Sequence, residues 1–261
     1  MCRLAGYVGP PAPLSSLLLD PPRSLQVQAY NPLEMRSGTV NVDGTGIAWW
    51  DGDDPRPLRY RTVHPPWVDE NLRRLAPRLR SGVQLAAVRS ATPGIPHGAT
   101  FVHPFMHSGL AGTHNGWIRG FRERLARPLL QRLPDHLLGA FDGMSDSLAI
   151  FLLAVAERER NPAGGLAGAV RAAIAAVTEE CARAGTTAML NVALADASGI
   201  AVAKTGYEQV GASLYALRDG ARWPGASVVA SEPLDSDSGW VPVPECHIAL
   251  LSEDGIDIAK M

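Results

Sequence analysis

Apolar residues in this chain gather in short, nearly unbroken runs toward both ends and at helical spacing in the middle. Residues 3–9, 46–50, 84–88, 190–195, 200–203 and 227–230 are predicted strands. Several lack polar alternation, as expected of strands covered on both faces. Residues 15–19, 146–160 and 165–184 are predicted helices, the last rich in alanine. The second closes on Glu157, Arg158, Glu159 and Arg160 before Asn161-Pro162, a stop signal. Residues 71–80 interleave arginine with leucine and read as the solvated face of another helix. Residues 51–66, rich in Asp, Pro and Arg, are the expected long surface loop. Strands near both ends with helices between them predict layered packing of sheets and helices. No repeat, low-complexity tract or linker divides residues 1–261, so one domain is expected.

Composition narrows the function. With 261 residues, 46% of them hydrophobic, the chain can bury a sizeable core. A net charge of −2 without a long Lys or Arg run argues against a nucleic-acid partner. No basic leader precedes a long apolar segment and no stretch approaches bilayer length, so no membrane association and a cytoplasmic location are expected. Cys2, Cys181 and Cys246 show neither a C-x-x-C pair nor matched spacing, which argues against a disulfide framework or a metal site. Cys181 and Cys246 both read as small core residues.

Cys2 is different. Loss of Met1 would put a thiol and a free α-amine on one residue, and an amine with a pKa of about 8 can accept the thiol proton near neutrality. That pair is a nucleophile with its own base, the logic of an N-terminal nucleophile. Such chemistry also needs donors for an oxyanion. Thr113-His114-Asn115-Gly116 offers the Asn115 side-chain amide and the Gly116 backbone N–H, and losing one such donor costs about 2.7–4 kcal/mol in the transition state. Asn-Gly is equally a tight-turn dipeptide, and a hairpin is the alternative reading. Arg89 directly follows an apolar strand, where a guanidinium could clamp a carboxylate, with the Thr92 hydroxyl beside it. Asp146 opens a helix as a first-turn dipole partner or, alternatively, pairs with a ligand ammonium. Together Arg89 and Asp146 would grip an α-amino acid head group. His103 suggests a Cys-His dyad, yet the α-amine already supplies a base and a structural role is expected. Trp67 and Trp240 are read as core anchors.

Met1-Cys2-Arg3, Val88-Arg89-Ser90-Ala91-Thr92, Val102-His103-Pro104-Phe105, His114-Asn115-Gly116 and Ser145-Asp146-Ser147, in this order, resemble the class II glutamine amidotransferase family of N-terminal cysteine hydrolases. The resemblance implies an α+β fold, a four-layered αββα sandwich. It implies Cys2 as nucleophile, Asn115 and Gly116 as oxyanion hole, Arg89 and Thr92 on the α-carboxylate of a γ-glutamyl group, and Asp146 on its α-amine. No metal or organic cofactor is implied. Residues 19–30 and 38–44, Pro66-Trp67, 231–235 and Gly239-Trp240 are similar to the branch acting in ergothioneine biosynthesis, which implies release of glutamate from γ-glutamyl-hercynylcysteine sulfoxide. No segment remains to receive ammonia within this chain. A glutaminase subunit serving a separate synthase, hydrolysis of another γ-glutamyl intermediate, and a non-catalytic binding protein remain alternatives, and a homo-oligomer stays open. Arg89 is followed by Ser90, where glutamine-using members commonly carry Trp, which implies a more open pocket wall.

Overall fold

The computed structural model describes residues 2–35, 38, 40–52, 54–91 and 97–261. Four strands lie in the first third: β1 (Arg3–Pro13), β2 (Thr45–Trp49), β3 (Leu58–Thr62) and β4 (Arg80–Val88). β5 (Phe105–His107), β6 (Leu110–Ile118), β7 (Ala188–Asp196) and β8 (Gly199–Tyr207) follow. β9 (Tyr215–Gly220), β10 (Trp223–Ala230), β11 (Val241–Pro242), β12 (His247–Ser252) and β13 (Gly255–Lys260) complete them. Short helices α1 (Ser15–Leu18), α2 (Leu25–Tyr30) and α3 (Glu70–Leu75) come early. Then come α4 (Ala126–Leu130), α5 (Asp135–Leu138) and the long α6 (Asp146–Arg160) and α7 (Gly165–Ala184).

The strands form two antiparallel sheets, ordered β11-β9-β10-β1-β4-β2-β3 and β13-β12-β8-β7-β6-β5. Side chains explain the layering. Leu4 and Val8 of β1 meet Ala193, Ala195, Ile200 and Val202 of the other sheet in a core between the sheets. Ala5 and Tyr7, on the opposite face of β1, pack with Leu17, Leu18, Leu25 and Leu72 of the short helices. Leu190, Val192 and Leu194 of β7 pack against α6 and α7 through Phe151, Val155, Val170 and Val177. Order across the molecule is therefore helices, sheet, sheet, helices. The unbroken apolar runs belong to strands covered on both faces.

Several expectations need correction. Residues 51–66 are not one loop, because β3 occupies Leu58–Thr62 and pairs with β2. The helix expected over 71–80 ends at Leu75, and Arg80 already begins β4. Asn115-Gly116 is no hairpin turn: it lies inside β6, opposite Asn191 and Leu190 of β7. Cys181 is buried, but Cys246 is exposed at φ 58, in a turn that puts its side chain outside the core. Trp67 and Trp240 are half-buried and pack edge-on against Tyr30 and Trp223.

β1 is held by a buried ion network as well as by its ladders. Arg3 has no exposed side-chain surface and lies 3.4 Å from Glu232, which also pairs with Arg23 at 3.2 Å. Glu232 accepts the Leu33 and Glu34 backbone N–H groups at 2.9–3.1 Å. Burial lowers the Arg3 pKa and the Glu232 carboxylate opposes that shift. Removing the anion would leave the buried Arg3 cation uncompensated. Glu232→Gln is expected to lower the unfolding free energy by about 3 kcal/mol, read by urea denaturation. A change within error would show that the network does not hold the strand.

Candidate active site

Cys2 sits at the head of β1. Because Arg3 is paired with Val88, Cys2 stands level with Arg89, the first residue beyond β4. By strand alternation it shares the face of Leu4 and Val8, turned toward the second sheet. Its side chain is 8% exposed and Sγ lies 3.8 Å from the Ser90 carbonyl oxygen. Burial pushes the thiol pKa up, while the Arg89 cation draws it down and the Asp146 anion raises it. All three side chains thus share one electrostatic neighbourhood.

Arg89 is buried, with its guanidinium carbon 5.8 Å from the Phe101 ring centroid and Nη1 3.5 Å from the Asp43 carbonyl oxygen. Desolvation lowers its pKa, and Cys2, Asp43 and Asp146 act in the opposite direction. Asp43 braces this segment. Its N–H donates to Arg89 O at 3.0 Å, Arg89 N–H donates to Gly44 O at 2.8 Å, and its carboxylate accepts Ala91 N–H at 2.7 Å. Thr92 lies outside the described residues.

Asp146 opens α6, whose N-cap is Ser145, the Ser145 hydroxyl accepting Leu148 N–H. Its carboxylate accepts Ile118 N–H at 3.0 Å and Ser147 N–H at 2.8 Å. The Ser147 hydroxyl oxygen lies 3.3 Å from the same carboxylate, so at least one of its four lone-pair directions is left for an ammonium. Helix α6 therefore delivers the anion to the edge of β6, since Ile118 is that strand's last residue.

This contact also reveals the direction of the Gly116 N–H. Successive N–H groups of a strand point to opposite edges. Arg119 N–H donates to Thr187 O, next to β7, whereas Ile118 N–H points away from β7 to Asp146. Gly116, two residues earlier, points its N–H the same way as Ile118. β5 covers that edge only as far as Gly112. The Gly116 N–H is thus aimed at an open edge, while Asn115 is fully buried with its Nδ2 donating to Ser231 Oγ at 3.4 Å.

Two buried histidines frame the site. His103 Nδ1 lies 3.0 Å from Thr113 Oγ1, and burial, followed by His114 and Arg89, drives its pKa down to about 3. His114 Nε2 meets the Met189 carbonyl and must donate to it, so Nδ1 accepts from Ser147 Oγ at 3.0 Å. Burial lowers its pKa too. Burial thus disfavours the protonated form of both rings. Ser231, Asp43 and the His114–Ser147 pair went unassigned in the sequence because each acts through tertiary hydrogen bonds that local spacing does not encode.

Among the described residues no group of three His, Cys, Asp or Glu side chains is placed to hold a metal ion, and no helix is long and apolar enough to cross a membrane. A cavity of about 880 Å³ between α6 and α7 shares no residue with this site.

Solved structures define the class. The chain superposes on a glutamine aminotransferase class-II domain protein from Silicibacter pomeroyi with a TM-score of 0.75 and 26% identity, covering 100% of this chain and 98% of that one. A glutamine phosphoribosylpyrophosphate amidotransferase from B. subtilis shares the fold at a TM-score of 0.63 and 16% identity, over 99% of this chain and 49% of that one. The architecture is the αββα sandwich of N-terminal nucleophile hydrolases of the class II glutamine amidotransferase type. No family model matches the chain. Over 261 residues it is 34% identical to a γ-glutamyl-hercynylcysteine sulfoxide hydrolase of Mycobacterium tuberculosis, covering 100% of this chain and 97% of that relative. The chain belongs to this family of hydrolases.

Two outcomes follow from the geometry. A Cβ at Gly116 would collide with the Met189 carbonyl and with His114 Nε2. Gly116→Ala is therefore expected to part β6 from β7 and to lower both melting temperature and activity; an unaltered melting temperature would contradict this packing. His103, neutral when folded down to about 3, takes up its proton near 6.5 when unfolded. Between those values the unfolded chain binds more protons, so this residue's contribution is complete above about pH 6.5 and shrinks as pH falls toward about 3. Urea unfolding of wild type and His103→Gln across that window, with a shallower pH slope in the variant, checks it. Equal slopes would refute the assignment.

Proposed function

We propose that this protein hydrolyses the γ-glutamyl amide of γ-glutamyl-hercynylcysteine sulfoxide, with Cys2 as nucleophile once Met1 has been removed. The observation that carries the reading is the meeting of a buried thiol with one buried cation, Arg89, and one buried anion, Asp146. An α-amino acid head group presents the complementary pair of charges, and full-length kinship with hydrolases of that sulfoxide supports the choice of substrate.

In this mechanism the α-amine of Cys2 takes the thiol proton, a transfer made necessary by a pKa that burial holds high. The thiolate attacks the γ-carbonyl carbon. The oxyanion that forms is met by Asn115 Nδ2 and the Gly116 N–H, while Arg89 holds the α-carboxylate and Asp146 the α-amine. Thr92 adds a hydroxyl at the carboxylate. Collapse breaks the C–N bond, and the leaving amine takes the proton from the α-ammonium. Water then attacks the γ-glutamyl thioester, giving its proton back to the α-amine, and collapse releases glutamate and the thiolate. Neither His103 nor His114 is needed as a base, and no step calls for a metal or organic cofactor. The reading takes residues 1–261 as one domain working in a reducing cytoplasm, where the thiol persists.

The test starts with intact mass, to establish that Met1 is gone. The sulfoxide, glutamine and a simple γ-glutamyl peptide are then compared as glutamate donors. The expected order puts the sulfoxide first by kcat/KM, and preference for glutamine would overturn the choice of substrate. Cys2→Ala is expected to bind substrate without turnover. Arg89→Gln should cost about 10- to 100-fold in kcat/KM, the worth of a charge-assisted contact of about 1.5–3 kcal/mol.

A further inference from the structure

We infer that Ser231 is a positioning residue that fixes the oxyanion donor Asn115 against the strand carrying the nucleophile; this rests on the hydrolase reading above. Nucleophile and oxyanion donor belong to different sheets, Cys2 at the head of β1 and Asn115 in β6. Facing sheets are about 10 Å apart, so their relative placement depends on what spans the gap. Ser231 spans it here. It is the first residue beyond β10, has no exposed surface, and donates its N–H to Leu4 O at 2.9 Å. Its hydroxyl oxygen accepts Leu4 N–H at 3.0 Å and Asn115 Nδ2 at 3.4 Å.

A serine oxygen has two lone pairs, and these two donors use both. The acceptor role turns the Asn115 amide so that nitrogen faces Ser231. One amide proton is engaged and the second is left for an oxyanion. An asparagine amide otherwise rotates in a broad, roughly two-fold well. Asn115 Oδ1 has no hydrogen-bond partner among the described residues, so the contact to Ser231 is what orients the group. The same hydroxyl holds Leu4, two residues from Cys2. Ser231 thus sets donor and nucleophile in one frame without touching the glutamyl head group, which Arg89 and Asp146 hold.

This role separates kcat from KM. With the sulfoxide as substrate and processed enzyme, Ser231→Ala is expected to lower kcat about 10- to 100-fold, the scale of a small misplacement of catalytic groups, with KM within about twofold. Ser231→Thr, which keeps the hydroxyl, should recover most of the rate. In an Asn115→Ala background, removing the Ser231 hydroxyl should cost less than about twofold more, because its effect passes through that amide. Ser231→Cys, of similar volume but a weak acceptor, carries the same expectation should the alanine variant fail to fold. A kcat within twofold of wild type for Ser231→Ala, or a loss of undiminished size in the Asn115→Ala background, would overturn the role while leaving the hydrolase reading intact. Wild type without turnover on any γ-glutamyl substrate would overturn both.

Discussion

The register of β1 between β4 and β10 is the constraint on which the site depends. A residue at the extreme start of a chain is normally the least ordered, yet here the next residues are paired on both sides, Arg3 with Val88 and Ala5 with Ala230. The Arg3–Glu232 pair locks that strand from the helical face, and the Ser231–Leu4 exchange locks it from β10. A slip of one residue would send Arg3 into the core between the sheets and Cys2 toward the helices, so the pattern Cys2, Leu4, Val8 against Arg3, Ala5, Tyr7 forbids it, and the Arg3–Glu232 and Ser231–Leu4 contacts oppose a slip of two. Arg89, the first residue past β4, then stands level with Cys2, and Ser231, the first residue past β10, stands level with Leu4.

Electrostatics divide the labour. The thiol is buried and its pKa lies above the ordinary range, so it needs a base close at hand. Burial disfavours the charged forms of His103 and His114, which are engaged with Thr113, Ser147 and Met189. They make the walls of the site rigid and leave proton transfer to the α-amine in the proposed mechanism. In the proposed mechanism Arg89 and Asp146, which both act on the thiol, suit a zwitterionic acyl group better than an apolar or singly charged one.

Much of this was legible in the sequence where a local rule governs. The long helices, the doubly covered strands and the strand-end position of Arg89 follow from periodicity and from Val88 closing an apolar run. Asn115-Gly116 was ambiguous because the dipeptide favours turns, and only pairing with Asn191 and Leu190 holds it in mid-strand. β3 was hidden because Leu58–Thr62 carries two arginines and forms an edge strand, where burial supplies no apolar signal. Ser231 and Asp43 were invisible as site residues because their roles exist only once β10 and the segment after α2 are folded against β1 and β4. Cys246 misled because an apolar neighbourhood in sequence does not fix side-chain direction at a left-handed turn.

The most direct measurement is an acid quench during turnover followed by intact mass and peptide mapping of the processed enzyme. The account predicts a fraction of molecules heavier by one glutamyl group, carried by the thiol of an N-terminal Cys2 and absent from Cys2→Ser protein treated alike. Turnover without any such adduct on Cys2, or full activity in protein that retains Met1, would contradict it.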